Sequence, residues 1–154
     1  MTAKPPGAKQ WRKSMVALLD ANVILNYLTG REDPYRDTCR EIIISCPRNA
    51  FTGYIAFHSV SIFWYSLKKP AKEKRELLKT ICKLLTVTGA SHEQVLFAIE
   101  NESFPDFEDC LQDICAQQAG ADYLVTCNIK DFQAAKTKPC TPDVFLQILS
   151  ASSQ

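Results

Sequence analysis

The sequence predicts an α/β protein, a three-layer α/β/α sandwich around a central parallel sheet. Three observations carry this. Short apolar, β-leaning runs alternate with longer segments of helical periodicity along the chain. Asn-Gly and Asp-Gly hairpin turns are missing between them. Finally, Val16 to Asp20 is a continuous apolar run ending in an acid, as expected of a strand covered on both faces.

Each element follows from local signals. After the first strand, Val23, Ile24, Tyr27 and Leu28 recur at helical spacing, and Gly30 closes that helix as its left-handed cap. Asp33-Pro34 predicts an N-cap with proline at the first helical position, opening a helix to about Cys46 that Pro47-Arg48-Asn49 ends. Residues 50–53 form a weakly signalled strand, and Tyr54 to Lys69 reads mostly as a helix with a wide, largely buried apolar face. Pro70 separates it from a helix over Ala71 to Leu85, which carries Lys72, Arg75, Lys79 and Lys83 as a basic stripe. Thr86-Val87-Thr88 reads as an edge strand. Ser91 with Gln94 is a capping box for a helix to about Glu102. Asp106 caps an acidic helix that ends at Gly120, and Tyr123 to Thr126 is a buried strand. A last short strand is expected between Thr137 and Pro142, and Thr141-Pro142 starts a final helix over Asp143 to Leu149.

At 154 residues, with 46% hydrophobic and 23% charged residues, the chain is expected to form one core. The expected organisation is a disordered leader over residues 1–14, a domain over 15–150 and a frayed tail over 151–154. The net charge of +1 neither announces nor excludes a nucleic-acid partner. Seven cysteines without a C-x-x-C pair, beside only two histidines, give no zinc spacing. Cys82, Cys110, Cys115 and Cys127 are expected as buried free thiols of a reducing compartment. The longest apolar stretch, Tyr54 to Leu67, is interrupted by His58, Ser59, Ser61 and Ser66 and is too short to cross a bilayer. A cytoplasmic protein without membrane contact is expected.

The chemistry-bearing residues are carboxylates. Asp20 ends the first strand, while Asn128 and Asp131 follow the later one, at the strand ends where open α/β sheets bind ligands. Asp106, Asp109 and Asp113 stand at i, i+3 and i+7, on one helix face. Asp20, Asp109, Asn128 and Asp131 are hard oxygen donors suited to Mg²⁺ or Mn²⁺, with Asp106 and Asp113 as supporting or substitute ligands. Lys130, Lys136 and Lys138 are expected beside the same mouth, where they would meet a phosphate backbone, and Tyr27 and Phe132 are candidates to stack on an unpaired base. No Gly-rich phosphate loop or Ser–His pair competes with this reading, and a phospho-accepting regulatory domain lacks its acid pair and lysine.

Leu18 to Leu28 (LLDANVILNYL), Asp106 to Phe132 (DFEDCLQDICAQQAGADYLVTCNIKDF) and the closing TPDVFL resemble a PIN domain, of the ribonuclease-like bacterial branch that includes the VapC toxins. The resemblance reaches from about Val16 to Leu149. It implies metal-dependent cleavage of RNA, with the family's acids falling on Asp20, Asp109 and Asn128, Asp131 close behind, and Asn22 on a polar position that steadies the site. Two positions depart from the pattern: the helix expected to carry a glutamate reads Ser59-Val60-Ser61-Ile62-Phe63, and Asn128 is neutral.

The resulting expectation is a metal-dependent endoribonuclease with Asp20 and Asp109 as its catalytic acids. RNA is its substrate, homodimerisation is expected, and an antitoxin protein is its partner if it is the toxin of a type II toxin–antitoxin pair. The alternative is a degenerate PIN-like module that binds RNA or a protein without cutting.

Overall fold

The structure, a computed structural model, describes residues 13–154; the leader expected at the start lies almost wholly outside them. Five strands, β1 (Val16–Leu19), β2 (Thr52–Ala56), β3 (Thr86–Thr88), β4 (Tyr123–Val125) and β5 (Pro139–Cys140), form one parallel sheet in the order β3-β2-β1-β4-β5. Seven α-helices are present among the described residues: α1 (Ala21–Thr29), α2 (Arg36–Ser45), α3 (Phe57–Ser66), α4 (Ala71–Leu84), α5 (His92–Glu100), α6 (Phe107–Gln118) and α7 (Pro142–Ser152). The expected α/β sandwich is the observed one.

Alternation along the strands sorts the helices into two layers. Ala17, Leu19, Ile55 and Val125 face one core with Val23 and Ile24 of α1, Ile42 and Ile43 of α2, Phe63 of α3, Ile81 of α4 and Phe145 of α7. Phe145 meets Phe51 edge-to-face at 5.1 Å between ring centres. Leu18, Ala56 and Leu124 face the other core with Ala98 of α5 and Cys110, Ile114 and Cys115 of α6. Successive connections from β1 to β2 to β3 step in one direction. The α5–α6 connection then returns past β2 and β1 to set β4 on the far side of β1. Strand order therefore reverses between β1 and β4, and their carboxyl ends are where a sheet of this kind places its ligand crevice.

Capping chemistry behaves as the sequence indicates. Gly30 takes φ 59° and Gly120 φ 64°, the left-handed conformation that suits glycine after a helix. The Ser91–Gln94 capping box is formed in both directions, and Thr141 accepts from the Val144 amide. Other boundaries differ. Asp33 does not cap directly: its carboxylate accepts from the Tyr35 amide, and α2 starts only at Arg36. Tyr54 to Ala56 belong to β2, paired between β1 and β3, instead of beginning a helix; no Gly or Pro marks the change from strand to α3 in the sequence. The apolar face expected over this segment is only partly buried, with Phe57 72% and Tyr65 84% exposed. Cys82 is exposed, not buried. Helix α7 continues through Ala151 and Ser152 and is capped by Ser153, so the tail expected to fray from residue 151 is helical through Ser152.

Candidate active site

Asp20 ends β1 and caps α1, two roles that place a carboxylate in the crevice with little freedom. Its Oδ1 accepts from the Ala21 amide at 2.7 Å and its Oδ2 from the Thr126 hydroxyl at 2.9 Å. The Thr126 Oγ1 in turn accepts from the Asn128 amide at 3.0 Å, so the turn leaving β4 is fastened to the end of β1. Asp20 is 3% exposed. Burial, and then the charge of Glu108, push its carboxyl up to about 6 against the pull of Thr126, Ala21 and His58.

Helix α6 brings its first turn over this crevice. Asp106 caps it, accepting from the Glu108 amide at 2.9 Å. Half-buried Asp109 is pushed up to about 7 by burial, then by Glu108, Asp20, Asp106 and Asp131. Mutual repulsion of this kind means that the five carboxylates share one electrostatic neighbourhood. Glu108 is the one of the five whose hydrogen bonds outweigh its burial. His58 Nε2 donates to its Oε1 at 2.8 Å, and Gln112 Nε2 donates to the same oxygen at 2.8 Å and lies 2.9 Å from Ser59 Oγ. Burial is the largest single influence on Glu108 and acts upward, but the bonds from His58 and Gln112 outweigh it and hold the carboxyl below the usual glutamate range.

Sequence comparison bears on this arrangement. The model of the PIN domain family matches residues 16–130. The chain belongs to the PIN domain family. A search of curated protein sequences returns no significant match. Among solved structures, the chain resembles VapBC2 from Rickettsia felis bound to a DNA fragment from its promoter, at 18% identity and TM-score 0.60, covering 82% of this chain and 98% of that one. It also resembles VapBC-1 from nontypeable Haemophilus influenzae, at 15% identity and TM-score 0.61, covering 84% and 99%. PAE2754 from Pyrobaculum aerophilum matches at 16% identity and TM-score 0.56, covering 89% and 90%.

Within this PIN domain the residues singled out in the sequence do not all meet. Asp20, Asp106, Asp109 and Asp131 share the crevice. Asp113 does not join them in bonding: its oxygens accept from the Lys136 amide at 3.0 Å and the Thr137 amide at 2.9 Å, and Gln117 adds a third bond. Asn128 is exposed and enters the network through its backbone. Asn22 accepts from Arg31, whose Nε also donates to Asn26 at 2.6 Å. Lys130 lies in the turn over the mouth, whereas Lys136 sits on the descent toward β5 and Lys138 lies over the Tyr123 ring at the opposite end of β4. Phe132 is 1% exposed and packs against Phe104, so it offers no face to a base. Tyr27 lines a separate hollow of about 550 Å³ with Gly30, Arg36 and Arg40.

Sequence reasoning missed Glu108, His58, Gln112, Thr126 and Arg31. Glu108 stands beside Asp109 but off the i, i+3, i+7 face, and its partner His58 is fifty residues away. The threonine directly after a buried strand was the one local signal of a polar group at the site.

The donor set suits a hard divalent cation in one respect and is incomplete in another. Asp20 and Asp109 are oxygen donors held in excess of local positive charge, which a dication relieves. Among the described residues, however, no three His, Cys, Asp or Glu side chains converge as a ready-made metal cage. Mg²⁺ ordinarily binds through one or two carboxylates and keeps water or substrate phosphate in its remaining positions.

Proposed function

We propose that this PIN domain is a metal-dependent endoribonuclease whose active site is the crevice between the ends of β1 and β4. The observation that carries the reading is the pair Asp20 and Asp109, two carboxyls from distant segments pushed up to about 6 and 7 by burial and by surrounding carboxylates. Groups perturbed in this way at a strand-end crevice mark functional sites more often than structural ones. Asp20 and Asp109 would hold Mg²⁺ or Mn²⁺, with Asp131 and Glu108 near enough to contribute directly or through water. The cation supplies charge neutralisation and a more acidic bound water.

The surrounding residues orient this pair. Thr126 keeps one Asp20 oxygen turned into its hydrogen bond. His58 holds Glu108 from the α3 side, where the chain carries no acid of its own, and Gln112 holds it from the next turn of α6. Lys130, and Arg31 on the α1 side, are the cations best placed to meet RNA phosphates. The likeness to VapBC structures supports a toxin role beside an antitoxin. Phe57 and Tyr65 are the exposed apolar side chains that an antitoxin or a second copy would cover.

The acid-free α3 favours a second reading, a PIN module that binds RNA or protein without cutting. Incubation with mixed single-stranded RNA in Mn²⁺ separates the two. The nuclease reading expects cleavage that disappears with EDTA, Asp20→Asn and Asp109→Asn. Folded wild-type protein that leaves every RNA intact would rule out the nuclease reading and leave the binding module as the leading one.

A further inference from the structure

Cys39 of α2 and Cys127, in the turn after β4, lie with their sulfurs 3.9 Å apart, across 88 residues of chain. One amide serves both: Asn26 Nδ2 lies 3.7 Å from Cys39 Sγ and 3.6 Å from Cys127 Sγ, its orientation fixed by Arg31 on Oδ1. Other thiols are used differently. Cys46 donates to the Ile42 carbonyl and Cys110 accepts from Asn101. Packing of small apolar groups requires neither a sulfur–sulfur contact nor a shared polar donor.

We propose that Cys39 and Cys127 form an oxidisable dithiol, which a hydroperoxide converts into an intramolecular disulfide tethering α2 to the turn that carries Thr126. Cys127 is half-buried and Cys39 fully buried, so the oxidant meets Cys127. The Cys127 sulfur takes the distal peroxide oxygen, giving a sulfenic acid and releasing water (or an alcohol, from an organic peroxide). Cys39 sulfur then attacks the Cys127 sulfur, the S–O bond breaks, the hydroxyl leaves as a second water, and the S–S bond forms. The peroxide is reduced by two electrons and the two thiols are oxidised by two. Shortening the contact to a disulfide of about 2.05 Å takes roughly 2 Å of movement, shared between the two side chains and their backbones.

That movement draws on a turn that matters. Cys127 stands between Thr126, which donates to Asp20, and Asn128, whose amide donates to Thr126. On the nuclease reading above, closing the bridge distorts the clamp on Asp20.

The test uses Cys82→Ser protein, which removes an exposed thiol that would otherwise link molecules together. After hydrogen peroxide treatment, non-reducing digestion should yield a Cys39–Cys127 cross-linked peptide that dithiothreitol cleaves. Cys39→Ala and Cys127→Ala, which spare the core a buried hydroxyl, should yield none. Alkylation of both thiols after oxidation, or a Cys127 sulfinic acid without the cross-link, would overturn the proposal. Where the bridge forms, Mn²⁺-dependent RNA cleavage should fall by about 10-fold or more and return with dithiothreitol, while Cys39→Ala protein keeps its activity. Unchanged cleavage by bridged protein would contradict the coupling to Asp20. Reduced protein that never cleaves RNA defeats the nuclease reading and leaves the peptide map to decide the dithiol.

Discussion

Asp109 and Asp113 stand four residues apart on one face of α6, yet the structure gives them opposite surroundings. Asp113 is buried, and its oxygens are saturated by two backbone amides of the chain descending to β5 and by Gln117. Asp109, about 6 Å higher along the helix, faces Glu108, Asp20, Asp106 and Asp131 and is pushed up to about 7. The lower acid is matched by donors that fold the protein, whereas the upper one is left short of positive charge. A helix face tells which acids align. Only the elements packed around it tell which is structural and which is available for a ligand.

The largest expected effect lies on the upper acid. Asp109→Asn or Asp20→Asn should lower RNA cleavage at least ~100-fold, beyond the loss usual for outer-shell residues, and Asp109→Asn should do so without lowering the melting temperature measured in EDTA. Asp113→Ala should do the reverse. It strands two backbone amides, a cost of about 3 kcal/mol that denaturant unfolding would detect, while the rise in melting temperature on adding Mn²⁺ stays as in wild type. Were Asp113→Ala to abolish the Mn²⁺ response in folded protein, the division of α6 into two regions would be wrong.

Thr126→Val sharpens the contrast at Asp20. Losing the hydroxyl should cost about 1–2 kcal/mol of stability and some 10-fold in cleavage. His58→Ala removes the imidazole hydrogen-bonded to Glu108 and should weaken Mn²⁺ binding in the same moderate range.

The same two acids also give a pH dependence. Asp20 and Asp109 have carboxyls raised from 3.8 to about 6 and about 7. Between those values the folded protein binds more protons than the unfolded one, so these two groups make stability fall as pH rises from about 4 to 7. Thermal unfolding in EDTA should show that decline, and Asp109→Asn should flatten it.

Much of this was legible in the sequence. The apolar run ending at Asp20, the capping box at Ser91 and Gln94, and the glycines after α1 and α6 are local signals, and each appears where expected. Two kinds of feature were not legible. The change from β2 to α3 happens without a Gly or Pro, so Tyr54 to Ala56 read as helix. The pairing of His58 with Glu108, and of Asp113 with the amides of residues 136 and 137, joins segments far apart in sequence. Periodicity put Asp109 and Asp113 on one helix, with Asp106 as its cap, but could not show that the descending chain arrives beside Asp113.

Calorimetric titration of Mn²⁺ into wild type, Asp109→Asn and Asp113→Asn tests the central claim most directly. The account predicts binding by wild type and Asp113→Asn and a loss of at least about 10-fold in affinity for Asp109→Asn. Equal binding by Asp109→Asn and wild type, or no binding by folded wild type, would contradict it.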